Sequence, residues 1–253
     1  MAKKTRQLNR LTSTSQSIAK WYDLYMTIIL HGENTIKSRE KLVQIISDLK
    51  INKKSVIRLE AKKLDLANLE EELAKNSLFG EDEAIVVEEL HSLPRSKKKD
   101  SLIELLLQSN REIVLWEKRS LTPTMLKKFP QAKVDDFKIS NTLFSWLDIF
   151  HPKTSAQKNL QSLEKAVKAN GDYMCFVMLI RQIGLLIYVK DGGRPAGPPF
   201  MVSKIKKQAD YFSMEKLLGL HQKLFEIDRK MKSSQSFMSM KQELDILSAS
   251  LYS

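Results

Sequence analysis

Seven residues, Gly32-Glu33-Asn34-Thr35-Ile36-Lys37-Ser38, come close to a phosphate-binding loop. Such a loop follows a strand, opens a helix and reads G-x-x-x-x-G-K-[ST]. Its glycines let backbone N–H groups wrap the phosphates, and its lysine reaches the terminal ones. Here an apolar strand, Met26-Thr27-Ile28-Ile29-Leu30, stands before the loop, and Lys37-Ser38 ends it. The loop is nevertheless one residue short and has no glycine before Lys37. Glu33 sets a carboxylate where phosphate charge would lie. The expectation is a loop that does not cradle a triphosphate.

A partner for such a loop would be a strand ending in acidic residues that hold magnesium. Ile85-Val86-Val87-Glu88-Glu89 has that form. Without a working loop it reads as a buried strand ending in solvated carboxylates. His31, His91, His151 and His221 are scattered, with no His-x-x-x-His or Cys-x-x-Cys spacing, so no metal site is expected. They read as four unrelated surface or partly buried histidines. No nucleophile elbow or paired-carboxylate pattern is present. The chain is therefore expected to have no active site and no cofactor of its own.

The elements that position these residues alternate. After the first strand a helix is expected over about 35–49, then a strand over 56–61 and an amphipathic helix over 66–75. Leu66, Leu69 and Leu73 lie on one face of that helix. A buried strand follows over 84–90, then a helix over 101–108, a strand over 112–116, a short helix from Thr122-Pro123 and a weaker strand over 132–137. Such alternation with short connections predicts a mostly parallel α/β sheet. Beyond 137 no good strand appears. Helices are expected at about 142–150, 155–169, 173–190, 201–211, 213–232 and 238–251. The loop 191–199 holds three of the eight glycines and three of the seven prolines and must break two helices. Trp116 and Trp146 sit in apolar surroundings and read as core. Three segments follow: a disordered basic tail or over-long gene start at 1–25, an α/β domain at 26–140 and an all-helical domain at 141–253.

The 253 residues are 42% hydrophobic and carry a net charge of +12, which favours nucleic acid or an acidic partner. The surplus lies in the tail, with five Lys/Arg against one Asp, and in 141–253, with 16 against 10. Lys204, Lys206 and Lys207 are candidates for contact with DNA phosphates or subunit carboxylates. A solvated helix face is the reading preferred for them from the sequence. Apolar runs are short; Cys175 to Ile180 and Gly184 to Val189 are split by Arg181 and Gln182, so no membrane span is expected. A single cysteine excludes an intramolecular disulfide and fits a reducing cytoplasm.

Several segments in fixed order resemble the delta subunit family of bacterial DNA polymerase III clamp loaders. They are the opening strand with Gly32-Glu33-Asn34, then Ser77-Leu78-Phe79-Gly80 ahead of the strand at 84–87, and Leu179-Ile180-Arg181-Gln182. Pro199-Phe200, Lys204, Gln208-Ala209 and Phe212-Ser213 follow, with Asp228 and Lys232 near the final helices. Phe144-Ser145-Trp146-Leu147-Asp148 is similar to the start of the family's collar.

This resemblance implies a nucleotide-free, AAA+-like α/β domain followed by a helical collar. It implies a subunit that binds and opens the sliding clamp without hydrolysing ATP. Ser77, Leu78 and Phe79 would form the clamp-binding tip, although adjacent apolar residues there also fit a core. The implied partners are the sliding clamp, the loader's ATPase subunits through the collar, and primer-template DNA. The family's middle lid domain is expected to be missing, because the collar-like start follows the last strand almost directly. Two other functions fit the residues: a divergent ATPase-type loader subunit, and a DNA-binding helical adaptor with a degenerate nucleotide fold. Arg181 and Gln182 read as packing inside the bundle, and Asp228 with Lys232 as a plain i,i+4 ion pair.

Overall fold

A computed structural model describes residues 27–75 and 83–252. The chain divides into two compact units, Met1–Lys138 and Ile139–Ser253. The basic tail at 1–25, with Trp21, lies outside the described residues.

The first unit alternates strands and helices: β1 (Thr27–His31), α1 (Thr35–Ile51), β2 (Ser55–Glu60), α2 (Leu66–Ala74) and β3 (Glu83–Glu88). It continues with a 3-10 turn (Leu90–Ser92), α3 (Lys97–Gln108), β4 (Glu112–Glu117), α4 (Pro123–Leu126) and β5 (Lys133–Asp136). The sheet is parallel throughout, in the order β2-β3-β4-β1-β5. The strand sequences follow from that order. Central strands of a parallel sheet are covered on both faces and need unbroken apolar runs. Ile28-Ile29-Leu30, Ala84-Ile85-Val86-Val87 and Ile113-Val114-Leu115-Trp116 are all buried. The edge strands β2 and β5 carry Arg58, Lys133 and Asp135 among their apolar residues.

Leu42, Ile45 and Leu49 of α1 pack on one face of the sheet, against Ile28, Leu30, Val86, Val114 and Trp116. Leu69, Leu102, Ile103 and Leu106 of α2 and α3, with Leu121 and Phe129, pack on the other. Each helix starts at the C-terminal edge of the sheet behind a short polar cap. The side chains of Asn34, Asp65, Ser96 and Thr122 accept N–H groups from Lys37, Asn68, Lys99 and Met125. The cap at Ser96 starts α3 four residues before the expected 101. The run Lys97-Lys98-Lys99 hides this start, because cations are unfavourable in a first helical turn.

The second unit is helical: α5 (Asn141–Ile149), α6 (Ala156–Asn170), α7 (Asp172–Lys190), α8 (Pro199–Ala209), α9 (Met214–Lys232) and α10 (Met240–Ala249). Together the units have the expected architecture, a parallel α/β sheet followed by helices. Only residues 137–140 separate β5 from α5. Trp146 and Trp116 are both buried, as expected. Trp146 donates its Nε1–H to Asn159 Oδ1 at 3.0 Å, so its one polar atom is satisfied in the core. Asp228 and Lys232 form the expected ion pair at 2.7 Å.

Among the described helices, α7 is long and apolar enough to cross a membrane by length and composition, with a mean hydropathy of 1.5. This corrects the reading that Arg181 and Gln182 divide the segment into runs too short to count. In this fold Met174, Cys175, Phe176, Leu179, Ile183 and Leu186 of α7 form the centre of the helical unit.

Candidate functional site

The C-terminal edge of the parallel sheet is where α/β proteins bind ligands, at the point where neighbouring connections leave to opposite faces. Here that point lies between β1, which leads to α1, and β4, which leads to α4. The near-phosphate loop occupies it. Most of its backbone donors are engaged by the protein itself. Gly32 N–H donates to Arg119 O at 3.2 Å and Asn34 N–H to Phe137 O at 2.8 Å. Thr35 N–H donates to Glu33 O at 2.9 Å, and Lys37 N–H to the Asn34 side chain at 3.1 Å.

Gly32 has a different task from a phosphate-loop glycine. Its φ is +130°, and a Cβ there would lie 2.4 Å from Phe137 O. The glycine thus lets the segment after β5 lie directly on the loop. Ser38, which would meet magnesium in a working loop, is fully buried and accepts the Trp116 Nε1–H at 3.1 Å. The Arg39 guanidinium stacks on the same indole, 3.5 Å from the ring centroid.

The carboxylates after β3 are not solvated as expected. Glu88 accepts from Arg39 Nη2 and Arg58 Nη2, both at 2.6 Å. The hydrogen bond from Arg39 holds its carboxyl below the ordinary glutamate value, Arg58 adds to the effect, and burial opposes it. Glu89 pairs with Lys118 at 2.8 Å. Both carboxylates are therefore ion-paired at short range.

Two histidines are also not the surface or partly buried groups expected. His31 and His91 are both almost completely buried. His91 belongs to a buried cluster that no sequence spacing announced. Glu117, at the end of β4, accepts His91 N–H at 2.6 Å and lies 3.2 Å from His91 Nδ1. Lys99 Nζ donates to His91 O at 2.8 Å and to Leu93 O at 2.9 Å; Arg119 Nη2 donates to His91 O at 2.5 Å. Burial pushes the Lys99 ammonium below its ordinary value, against the pull of Glu117. These groups are directed at one another, so the cluster fastens the turn between β3 and α3 to the end of β4. The contributing residues are up to 28 positions apart, which is why no motif reveals them.

His31 provides a pH test. Leu121 N–H donates to its Nδ1 at 3.3 Å, Asp136 Oδ1 lies 3.5 Å away, and its buried Nε2 meets no hydrogen-bond partner. Burial pushes its pKa below 6.5, with Asp136 opposing. Below pH 6.5 the unfolded chain takes up a proton that native His31 resists, so stability falls as pH decreases through this range. Replacement by glutamine should flatten that fall. The check is the unfolding midpoint of both proteins between about pH 7.5 and about 5.5, on either side of the ordinary histidine value of about 6.5.

Ser77, Leu78 and Phe79 lie outside the described residues, between α2 and β3. Lys204 forms an ion pair with Asp148 at 2.5 Å. Lys206 and Lys207 are exposed in the last turn of α8, where the helix dipole favours cations. Gln182 and Gln208 are brought together: Gln182 Nε2 donates to Gln208 Oε1 at 2.6 Å. Gln208 Nε2 in turn donates to Leu147 O and Phe150 O, closing the end of α5. Gln182 thus packs inside the bundle as expected. Arg181 does not; it is exposed, because its position on α7 faces away from the core.

No family model matches the chain, and no curated protein does. Among solved structures, it is similar to the Bacillus subtilis DNA clamp loader delta protein (YqeN), with 15% identity, a TM-score of 0.47, and 95% of this chain and 99% of that chain covered.

Proposed function

We propose that this chain is a delta-type clamp-loader subunit that binds and opens a sliding clamp during DNA replication without hydrolysing ATP. The observation that carries this reading is the loop at Gly32–Ser38. It occupies the phosphate-binding position of a parallel sheet, yet its N–H groups at Gly32, Asn34, Thr35 and Lys37 already donate to protein oxygens. A nucleotide would have to displace these bonds and the Phe137 segment beside Gly32. The ordered segments resembling the delta family, from Gly32-Glu33-Asn34 to Asp228 and Lys232, support the same reading.

On this reading Ser77, Leu78 and Phe79 form the tip that enters an apolar pocket of the clamp. The helical unit joins the loader's ATPase subunits, whose nucleotide state sets how exposed the tip is. Primer-template DNA is the further partner, with Lys204, Lys206 and Lys207 as candidate contacts; of these, Lys206 and Lys207 have the more accessible charge.

Titration of ATP and magnesium into the full chain by calorimetry should give no heat of binding. Micromolar binding would overturn the reading in favour of a divergent ATPase subunit. Salt-sensitive DNA binding without clamp affinity would favour the helical adaptor instead.

A further inference from the structure

The helical unit carries a groove of about 680 Å³ among α5, α7 and α8. Phe144, Met178, Leu185, Tyr188, Phe200 and Met201 supply its apolar lining. Four of these are notably open: Phe200 is 74% exposed, Tyr188 53%, Met201 48% and Phe144 44%. The lining is held in place by the backbone. A Cβ on Gly193 would fall 2.5 Å from the Tyr188 ring, so the Gly193 main chain lies against that ring. Phe200 follows Pro198 and Pro199, whose rings fix φ at the start of α8.

Exposed apolar surface continues along α7 beside the groove. A helix apolar on all sides is normally buried on all sides. One face of α7 forms the core of the helical unit, but Tyr173, Val177 and Tyr188 on its outer face are exposed. An apolar, preformed surface of this kind marks an interaction site.

Charge identifies the occupant. The charged side chains lining the groove are Arg181, Lys204 and Asp148; Lys204 and Asp148 pair with each other at 2.5 Å, so Arg181 sets the sign of the groove. Arg181 is exposed at the groove and has no carboxylate partner among the described residues; its one recorded contact is Met178 Sδ at 3.9 Å. The chain's own residues 1–25, with five Lys/Arg and one Asp, have the same sign as this rim. A second copy, at +12, is also repelled.

We infer that this groove docks an acidic amphipathic helix of a different polypeptide. Its apolar face lies on Phe200, Tyr188 and Phe144, and a carboxylate reaches Arg181. Helix-in-groove recognition uses anchors at i, i+3 or i+4 and i+7, matching a groove between helices. The inference rests on the assignment of the helical unit to contacts with other subunits and deepens it, whereas clamp binding is assigned to the other unit.

The test uses the full chain and two labelled synthetic helices, followed by fluorescence polarisation. Both have leucines at i, i+3, i+4 and i+7; one carries glutamates elsewhere, the other lysines. The acidic peptide should bind, and its lysine twin should bind at least about tenfold more weakly. Phe200→Ser should weaken binding of the acidic peptide by about tenfold or more, because exposed aromatic anchors dominate such contacts. Arg181→Glu should narrow the gap between the two peptides. Both substitutions are at exposed positions, and an unchanged unfolding midpoint shows that the fold is intact. Equal binding of both peptides, no binding, or binding that survives Phe200→Ser and Met201→Ser together would overturn the inference. So would a concentration-dependent dimer in sedimentation that Phe200→Ser abolishes, since the occupant would then be a second copy. Clamp affinity should be unchanged in all these variants, which separates failure here from failure of the functional proposal.

Discussion

Alanine at both Leu78 and Phe79 is expected to reduce affinity for the sliding clamp by two orders of magnitude or more while leaving the unfolding midpoint nearly unchanged. The argument is one of magnitudes. An anchoring side chain in an interface pocket contributes about 2 kcal/mol or more. Two such losses exceed the roughly 2.8 kcal/mol that corresponds to a hundredfold change. If the two residues were core, the same changes would instead cost about 2–5 kcal/mol of stability each. Thermal unfolding and surface-plasmon binding to the cognate clamp, measured on one mutant, distinguish the outcomes. Early unfolding, or parental affinity in a folded mutant, would remove the central functional claim.

Glu117→Ala is expected to give the largest stability loss of any single change at the sheet edge, about 3–5 kcal/mol. The carboxylate is fully buried, and His91 N–H donates to it at 2.6 Å. Its removal leaves that N–H without an acceptor. It also strips the buried Lys99 of its main stabilising charge. Glu117→Gln should recover part of the loss, because the amide oxygen can still accept from His91 N–H. Urea unfolding, with amide exchange read separately on β3 and β4, provides the measurement. The amides of α6 and α7 should keep their protection, since the whole cluster belongs to the other unit. An alanine variant as stable as the parent would show that the turn between β3 and α3 is fastened by packing alone.

The order of elements was readable in the sequence because each depends on local pattern. Ile28-Ile29-Leu30 and Ala84-Ile85-Val86-Val87 are unbroken apolar runs between turns, and such runs are central strands of a covered sheet. Leu66, Leu69 and Leu73 share one helical face. Asn34, Ser155 and Ser213 cap their helices through oxygens three residues from the N–H they accept. The defect in the phosphate loop was equally local, since a missing glycine and a carboxylate can be counted. A buried position imposes a chemical demand on its own residue, so the sequence records these features directly.

The tertiary structure decided which distant groups meet. Nothing in the spacing of Glu117, His91 and Lys99 says that they share one buried site, with the exposed Arg119 reaching its edge. Nor does the sequence say that Glu88 is held between Arg39 and Arg58, which leaves it paired rather than solvated. Gly32 looked like the remnant of a phosphate loop; its neighbour in space is Phe137, 105 positions on (137 less 32). Arg181 and Gln182 are adjacent in a single apolar helix, yet one is exposed and the other bonded to Gln208. Burial, ion pairing and exposure are set by chain segments brought together only on folding. A polar side chain contributes little to the local pattern, and its role depends on the partner that folding sets beside it.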